Sequence, residues 1–398
     1  MHFPEKSFVV ASFGRCGHDY FARILERHGL LAFYALGTRR GTAGVPLEHT
    51  RLKPVFGLLN YLAARCLPVF QAESFRYRLL PFFDRWVSSL LQPGQHLITS
   101  FALANSAMRK AKKNGALTFI DAQNSHPQLF WDLLTEEQKR WNSSYPPVAR
   151  HYNLRGVESV NESDYVFASS NFVRDSFLNR GIEPKRVFSY TLPVNLSWFK
   201  PAESERPNSR PLTILNTGAL CLRKGTPYLL EAFRLLRETV SDTVLRLSQT
   251  IRDDVKHILQ ANVDLPIDWS PYLDLTVESE RQRYVERIQT SDIFVLPSIE
   301  DGFAFVVAEA MACGIPVITT KNTGASDLII PGENGEIVPI RNPESIAEAV
   351  LSWWRKIQNG NRVRNLERIV EKLSVERFEE TVITYLRNIG EDHRQLRQ

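Results

Sequence analysis

A chain of 398 residues, 43% hydrophobic and 23% charged with net charge +5, exceeds one ordinary core, so two domains of roughly 200 residues are expected. That composition, without low-complexity tracts or internal repeats, excludes disordered and fibrous classes. Charge is uneven: residues 1–200 carry 25 Lys+Arg against 15 Asp+Glu, and residues 201–398 carry 24 against 29, so the first half either meets an anionic partner or has a basic solvated surface.

The apolar stretch near the N-terminus, in "MHFPEKSFVVASFG", spans only about seven residues, too few for a secretory or membrane-spanning segment, and a cytoplasmic protein is expected. From Lys6, "KSFVVASFGRCGHDYFARILERHGLLAFYAL" reads as strand, turn with Gly14 and Gly17, amphipathic helix and second strand, a βαβ unit. Residues 51–87 interleave Arg and Lys with Leu, Phe, Tyr and Trp. An interfacial segment on anionic lipid and a buried helical pair both explain that pattern. The βα rhythm resumes at "HLITSF" and "ALTFID", and "NESDYVFASSNFVRDSFLNRGI" gives a strand, a Ser-Asn cap and a helix ending at Gly181.

Residues 193–211, dense in Pro, Ser, Asn and charge, read as a linker. A second series follows: "LTILNTG" strand, "TPYLLEAFRLLRE" helix, "SDIFVLPS" strand, "FAFVVAEAMAC" helix, "PVITT" strand and "PESIAEAVLSWWRKIQ" helix. The fold expected is α/β, two doubly wound Rossmann-like domains with a cleft between them. They would be an N-terminal domain over 1–192 and a C-terminal domain over 212–398, its last helix packing back on the first domain.

Such sheets bind ligands beyond the carboxyl ends of their strands. In "TGALCLRKG", Gly218 admits close backbone approach, and Arg223 and Lys224 place two cations before a helix N-terminus, a site suited to diphosphate. A pair of solvated surface cations is the plainer alternative. In "IEDGFAFVVAEAMACGIPVI", Asp301 follows a strand near the start of a helix, where a simple N-cap is the competing role. Glu309 lies eight residues on, about 12 Å along a continuous helix, so the two acids could bracket an elongated ligand but not share a proton. His126, in "IDAQNSHPQLFW", sits in a polar turn after a strand, and a structural histidine is its ordinary alternative.

Taken in order, "VESVNESDYVFASSNFVRDSFLNRGI", "TGALCLRKGTPYLLEAF", "SDIFVLPSIEDGFAFVVAEAMACGIPVI" and "GASDLIIPGENGEIVP" resemble the retaining GT-B glycosyltransferases of family 4, glycosyl transferases group 1. The resemblance covers most of the chain and is strongest over about residues 155–350. It implies that Glu309, the second acid of the E-x7-E motif, holds the ribose hydroxyls of a nucleotide sugar. Asp301, where the family usually has Glu, would contact the donor sugar, and Arg223 and Lys224 would hold the diphosphate. Gly302, Phe303, Ala304 and Phe305 would form the donor-binding turn, His126 would face the donor sugar, and Gly14 and Arg15 would close over it.

The implied partners are a nucleotide sugar and an acceptor glycan, lipid-linked sugar or small molecule, with peripheral contact to the inner face of an anionic membrane as a further expectation; nucleic acid is not among them. The implied reaction moves the sugar to an acceptor hydroxyl with retention of anomeric configuration. No DxD motif is present, and the four cysteines, Cys16, Cys66, Cys221 and Cys313, lack metal-ligand spacing. Neither a metal nor another cofactor is therefore expected, with side-chain cations and helix amides neutralising the diphosphate. The competing classes are a nucleotide-sugar epimerase, a sugar phosphorylase and a non-catalytic nucleotide-sugar-binding subunit.

Overall fold

The computed structural model describes residues 3–14, 18–38, 44–146, 148–203, 210–248 and 251–395. Two compact units divide the chain. One comprises Met1–Asp132, Pro146–Tyr190 and Glu379–Gln398, the other Leu133–Tyr145 and Thr191–Phe378.

The first unit is built on seven parallel strands: β1 (Phe8–Ser12), β2 (Leu31–Leu36), β3 (Thr50–Leu52), β4 (His96–Thr99), β5 (Thr118–Ala122), β6 (Tyr165–Ala168) and β7 (Val187–Ser189). Their order is β3-β2-β1-β4-β5-β6-β7. β1, β4 and β5 are buried along their whole length, as expected of apolar runs covered on both faces. The helices are α1 (His18–Arg27), α2 (Pro54–Cys66), α3 (Val69–Leu90), α4 (Asn105–Lys113), α5 (Pro127–Arg140), which continues into the second unit, α6 (Arg150–Glu162) and α7 (Asn171–Leu178). On one face of the sheet, Val9, Leu97, Ile120 and Val166 pack with Phe83, Val87, Met108 and Phe177. Phe119 and Phe167 stack at 5.5 Å, with Phe21 against Phe167. The segment 51–87 finishes β3 and then forms two helices, separated where Pro68 at the N-cap of α3 lacks an N–H.

The second unit holds six parallel strands: β8 (Leu212–Thr217), β9 (Thr243–Ser248), β10 (Ile267–Ser270), β11 (Ile293–Leu296), β12 (Val317–Thr320) and β13 (Gly335–Val338), in the order β10-β9-β8-β11-β12-β13. Helices α8 (Thr226–Thr239), α9 (Lys256–Gln260), α10 (Glu278–Gln289), α11 (Phe305–Ala312), α12 (Pro343–Gln358), α13 (Leu366–Lys372) and α14 (Val375–Gln395) complete the described chain. Trp353, Phe233, Phe294 and Phe378 are the second unit's largest fully buried side chains among the described residues.

In each sheet the strand order reverses direction once, between β1 and β4 in the first and between β8 and β11 in the second. At such a switch the flanking loops turn to opposite faces and leave a crevice beyond the carboxyl ends of the strands. Among the described residues no helix is long and apolar enough to cross a membrane.

Candidate functional site

In the second unit, the loops after the adjacent strands β8 and β11 are stitched together. The Arg223 carbonyl accepts from the Ile299 N–H at 2.9 Å, and the Arg223 guanidinium donates to the Glu300 carbonyl at 3.1 Å and to its carboxylate at 3.3 Å. Next to this, the Lys224 ammonium donates to the Asp301 carboxylate, while Arg223 Nη1 lies 4.0 Å from the same group. Two cations and two acids thus share one site, with Glu300 wholly buried and Asp301 nearly so.

Their ionisation follows from that crowding. Burial alone would raise the Asp301 carboxyl, but the charges of Lys224 and Arg223 hold it below the usual aspartate value. Burial opposes the charge on Arg223, and Asp301 and Glu300 overcome it, raising its pKa. For Lys224 burial prevails and lowers the pKa despite Asp301.

Gly225 makes the approach of the two loops feasible. It lies at φ 70°, and a Cβ there would sit 1.9 Å from the Pro297 carbonyl oxygen, so only glycine fits. Gly218, at φ 108°, borders open space instead. Two hydrogen bonds between the Cys221 backbone and the Thr226 hydroxyl, at 3.0 and 3.1 Å, close the turn into α8.

The turn carrying Asp301, Gly302, Phe303, Ala304 and Phe305 is fixed from its other side by the loop after β12. The Asp301 N–H donates to the Asn322 carbonyl at 2.9 Å, the Gly324 N–H to the Asp301 carbonyl at 2.8 Å, and the Ala325 N–H to the Phe303 carbonyl at 2.7 Å. Asn322 Nδ2 adds a bond to the Ile299 carbonyl at 2.9 Å. The helix begins at Phe305, with Ala304 at its N-cap in a left-handed conformation of φ 65°. Asp301 therefore precedes the helix and is not its N-cap residue, and the spacing of Asp301 and Glu309 is not that of a continuous helix.

Glu309 is half-buried on α11 and accepts from the Tyr284 hydroxyl of α10 at 2.8 Å, which in turn lies 3.2 Å from Thr217 Oγ1 at the end of β8. Burial pushes the Glu309 carboxyl up to about 7, with the Tyr284 hydrogen bond opposing the shift. Sequence reasoning does not single out Tyr284, Thr217 or Glu300. The readable signal for Thr217 is its place at the carboxyl end of a strand.

In the first unit a cavity of about 410 Å³ opens at the switch between β1 and β4. Gly14, Arg76, Tyr77, Asp121, Gln123 and Tyr152 are among the residues lining it. Tyr77 and Tyr152 stack at 4.1 Å. The buried Asp121 carboxylate accepts from the Tyr190 hydroxyl and, at 2.9 Å, from Gln123 Nε2. Arg15 lies outside the described residues. His126 lines neither this cavity nor the smaller one beside it. Its backbone N–H donates to Ser176 Oγ at 2.8 Å, its Nδ1 accepts from the Gln128 N–H at 3.1 Å, and its ring meets Phe177 edge-on at 5.2 Å. Burial, reinforced by the Arg180 charge, depresses its pKa to about 4, so it is a neutral imidazole at pH 7 anchoring the start of α5.

Two parallel Rossmann-like units, each with polar groups gathered at a topological switch point, define the GT-B class of fold. Residues 200–368 match the family Glycosyl transferases group 1. EpsD of Bacillus subtilis (strain 168), named as a glycosyltransferase, is 25% identical over 276 residues, 66% of each protein. WcaL of Escherichia coli (strain K12), named as a colanic acid biosynthesis glycosyltransferase, is 22% identical over 222 residues, 52% of this chain and 51% of that one. The chain thus spans about half to two thirds of the length of these relatives. Sucrose-phosphate synthase from Thermosynechococcus elongatus superposes with a TM-score of 0.67 at 16% identity, covering 96% of this chain and 98% of that one. Anabaena HepE in complex with UDP and glucose gives 0.63 at 15%, covering 96% and 99%. At these identities the likeness is one of fold.

Proposed function

We propose that the protein is a glycosyltransferase that moves a sugar from a nucleotide diphosphate sugar to an acceptor hydroxyl with retention of anomeric configuration. The observation that carries this reading is the joining of Arg223 and Lys224 to Asp301, with Glu309 on the helix that follows, at the β8/β11 switch and inside the segment matched to group 1. As the bond between the anomeric carbon and the diphosphate oxygen breaks, negative charge grows on the diphosphate. Two preorganised cations stabilise that charge more than they stabilise the intact donor, which lowers the barrier.

Asp301 holds the Lys224 ammonium in place and presents its remaining acceptor capacity to the donor sugar. Glu309 accepts hydrogen bonds from ribose hydroxyls, and the turn Gly302–Phe305 lies along the nucleotide. In the first unit, the cavity lined by Gly14, Arg76 and Asp121 takes the acceptor. No metal enters this scheme, so a chelator leaves turnover unchanged. A solved relative of the same fold, HepE, is described with UDP and glucose, and a uridine diphosphate sugar is the first donor to try.

Thermal-shift screening against a panel of nucleotide diphosphate sugars identifies the donor, because a bound ligand stabilises the native state by mass action. With that donor, Lys224→Ala lowers turnover more than about tenfold and Arg223→Ala less. An unchanged rate in the double variant would refute the assignment. Product anomeric configuration, read by proton NMR, tests retention.

A further inference from the structure

The end of α5 comes from the first half of the chain but belongs to the second unit, which takes in Leu133–Tyr145. Its Glu137 is wholly buried, and each oxygen of the carboxylate has a donor of its own. Oε2 accepts from the Tyr228 hydroxyl at 2.8 Å and Oε1 from Arg341 Nε. The Arg341 guanidinium also reaches the Glu136 carboxylate at 2.8 Å, and its backbone is held at φ 63°, a left-handed conformation uncommon outside glycine. Tyr228, 3% exposed, accepts a further bond from Trp141 Nε1 at 3.1 Å, and the two rings meet edge-on at 5.7 Å. Burial chiefly raises the Tyr228 pKa, so the hydroxyl keeps the proton that it donates to Glu137.

A buried ion pair often adds no stability over an apolar core of the same volume, so what this one contributes is geometry. The element it fixes is the start of α8, since Tyr228 lies in the first turn of that helix, directly after the loop of Arg223, Lys224 and Gly225. The loop is held at its other end by Asp254, whose carboxylate accepts from the Leu222 N–H at 3.1 Å, and the two anchors bracket the two cations. We propose that Glu137 and Tyr228 are positioning residues for the diphosphate: by pinning the first turn of α8 they set where Arg223 and Lys224 stand relative to Asp301 and to the leaving group. This role rests on Arg223 and Lys224 being the diphosphate site. Glu137 and Tyr228 act through them without touching the ligand, because cations locked in place stabilise growing charge and cations free to drift do so less.

Calorimetric titration of the full chain with UDP, GDP, ADP, CDP and dTDP, each beside its own nucleoside, tests this role. Tyr228→Phe keeps the ring against Trp141 and removes the hydroxyl. It should weaken the best-bound diphosphate at least about fivefold and leave the matching nucleoside unchanged, because only the diphosphate meets the two cations. Glu137→Gln leaves one acceptor oxygen for two donors and should show the same selective loss, which decides the matter should Tyr228→Phe not fold. A diphosphate bound equally well by the unmodified chain and the folded variant overturns the proposal. An equal loss for diphosphate and nucleoside also overturns it, since that is what a merely structural contact gives. If the unmodified chain binds none of these diphosphates, the assignment of Arg223 and Lys224 falls and the proposal with it, an outcome distinct from binding without selective loss.

Discussion

Glu309 is a site carboxyl whose charge changes near neutral pH. Its pKa rises from 4.5 to about 7 on folding, chiefly through burial. Because the folded value lies above the unfolded one, the stability linked to Glu309 is fully present below the unfolded pKa and is lost as pH rises through the folded value. Glu309→Gln should therefore flatten the fall in melting temperature of the free protein between about pH 5 and 8. Nucleotide binding should run the other way: ribose hydroxyls donate better to a carboxylate, so affinity rises across that window and the Gln variant loses the rise. Thermal melts of the free proteins across this pH range check the first and calorimetric titration of a nucleoside diphosphate at several pH values the second, and parallel binding slopes in the two proteins would remove Glu309 from the site. Arg223, Lys224, Asp301 and Glu309 could be picked out as candidates because they lie at or near the carboxyl ends of predicted strands, where such sheets bind ligands. Tyr284 was not, because it reaches Glu309 from a helix 25 residues upstream, a tertiary contact without a sequence spacing. The buried Glu300 and its neighbour Asp301 are likewise adjacent acids in sequence, and only the stitching of two loops gives each a different cation.

At the scale of elements, capping chemistry decides what could be read. Helix α12 runs over the expected residues, Pro343–Gln358, because Asn342 caps its start through the Ser345 N–H and Gly360 follows its end at φ 77°. Helix α11 begins two residues later than expected because Ala304 is left-handed, a conformation that alanine does not advertise. The strands β9 and β10 were missed: β9 carries Arg246 amid its apolar residues, and β10, "IDWS", is a short polar run only partly buried. The two backbone positions make opposite predictions. Gly225→Ala places a methyl against the Pro297 carbonyl at positive φ and should cost roughly 2 kcal/mol or more of stability. Ala304→Gly relieves left-handed strain at a modest entropic cost and should be stabilising by about 0.5 kcal/mol. Urea denaturation of the two variants measures both, and a Gly225→Ala protein as stable as the unmodified chain would mean that the two loops do not meet as described.

The chain as a whole ends by returning to its beginning: α14 starts in the second unit, and from Glu379 onward it belongs to the first. Two βα series were readable from composition and periodicity, whereas the linker over 193–211 and the return of a last helix stood only as expectations. The contacts that fix that helix were not readable, since they join residues nearly 200 to 350 positions apart. Glu379 pairs with Arg27 and with His28 Nε2 at 2.9 Å. The Tyr385 hydroxyl donates to the Ser189 carbonyl of the edge strand β7 at 2.8 Å, and its ring lies 4.9 Å from Phe188. Val382, Ile383, Leu386 and Ile389 are buried, so α14 closes the first unit with an apolar face, and the exposed ion pair of Arg27 contributes little beside it. Leu386→Ala should cost about 2–5 kcal/mol, and the loss should be confined to one unit. Hydrogen exchange under native conditions should show β6 and β7 losing protection while β8, β11 and β12 keep theirs, because exchange reports the stability of each cooperative unit separately. Equal loss of protection in both sheets would show that the helix does not belong to the first unit alone. Unchanged protection in β6 and β7 would show that the edge strand is held without it.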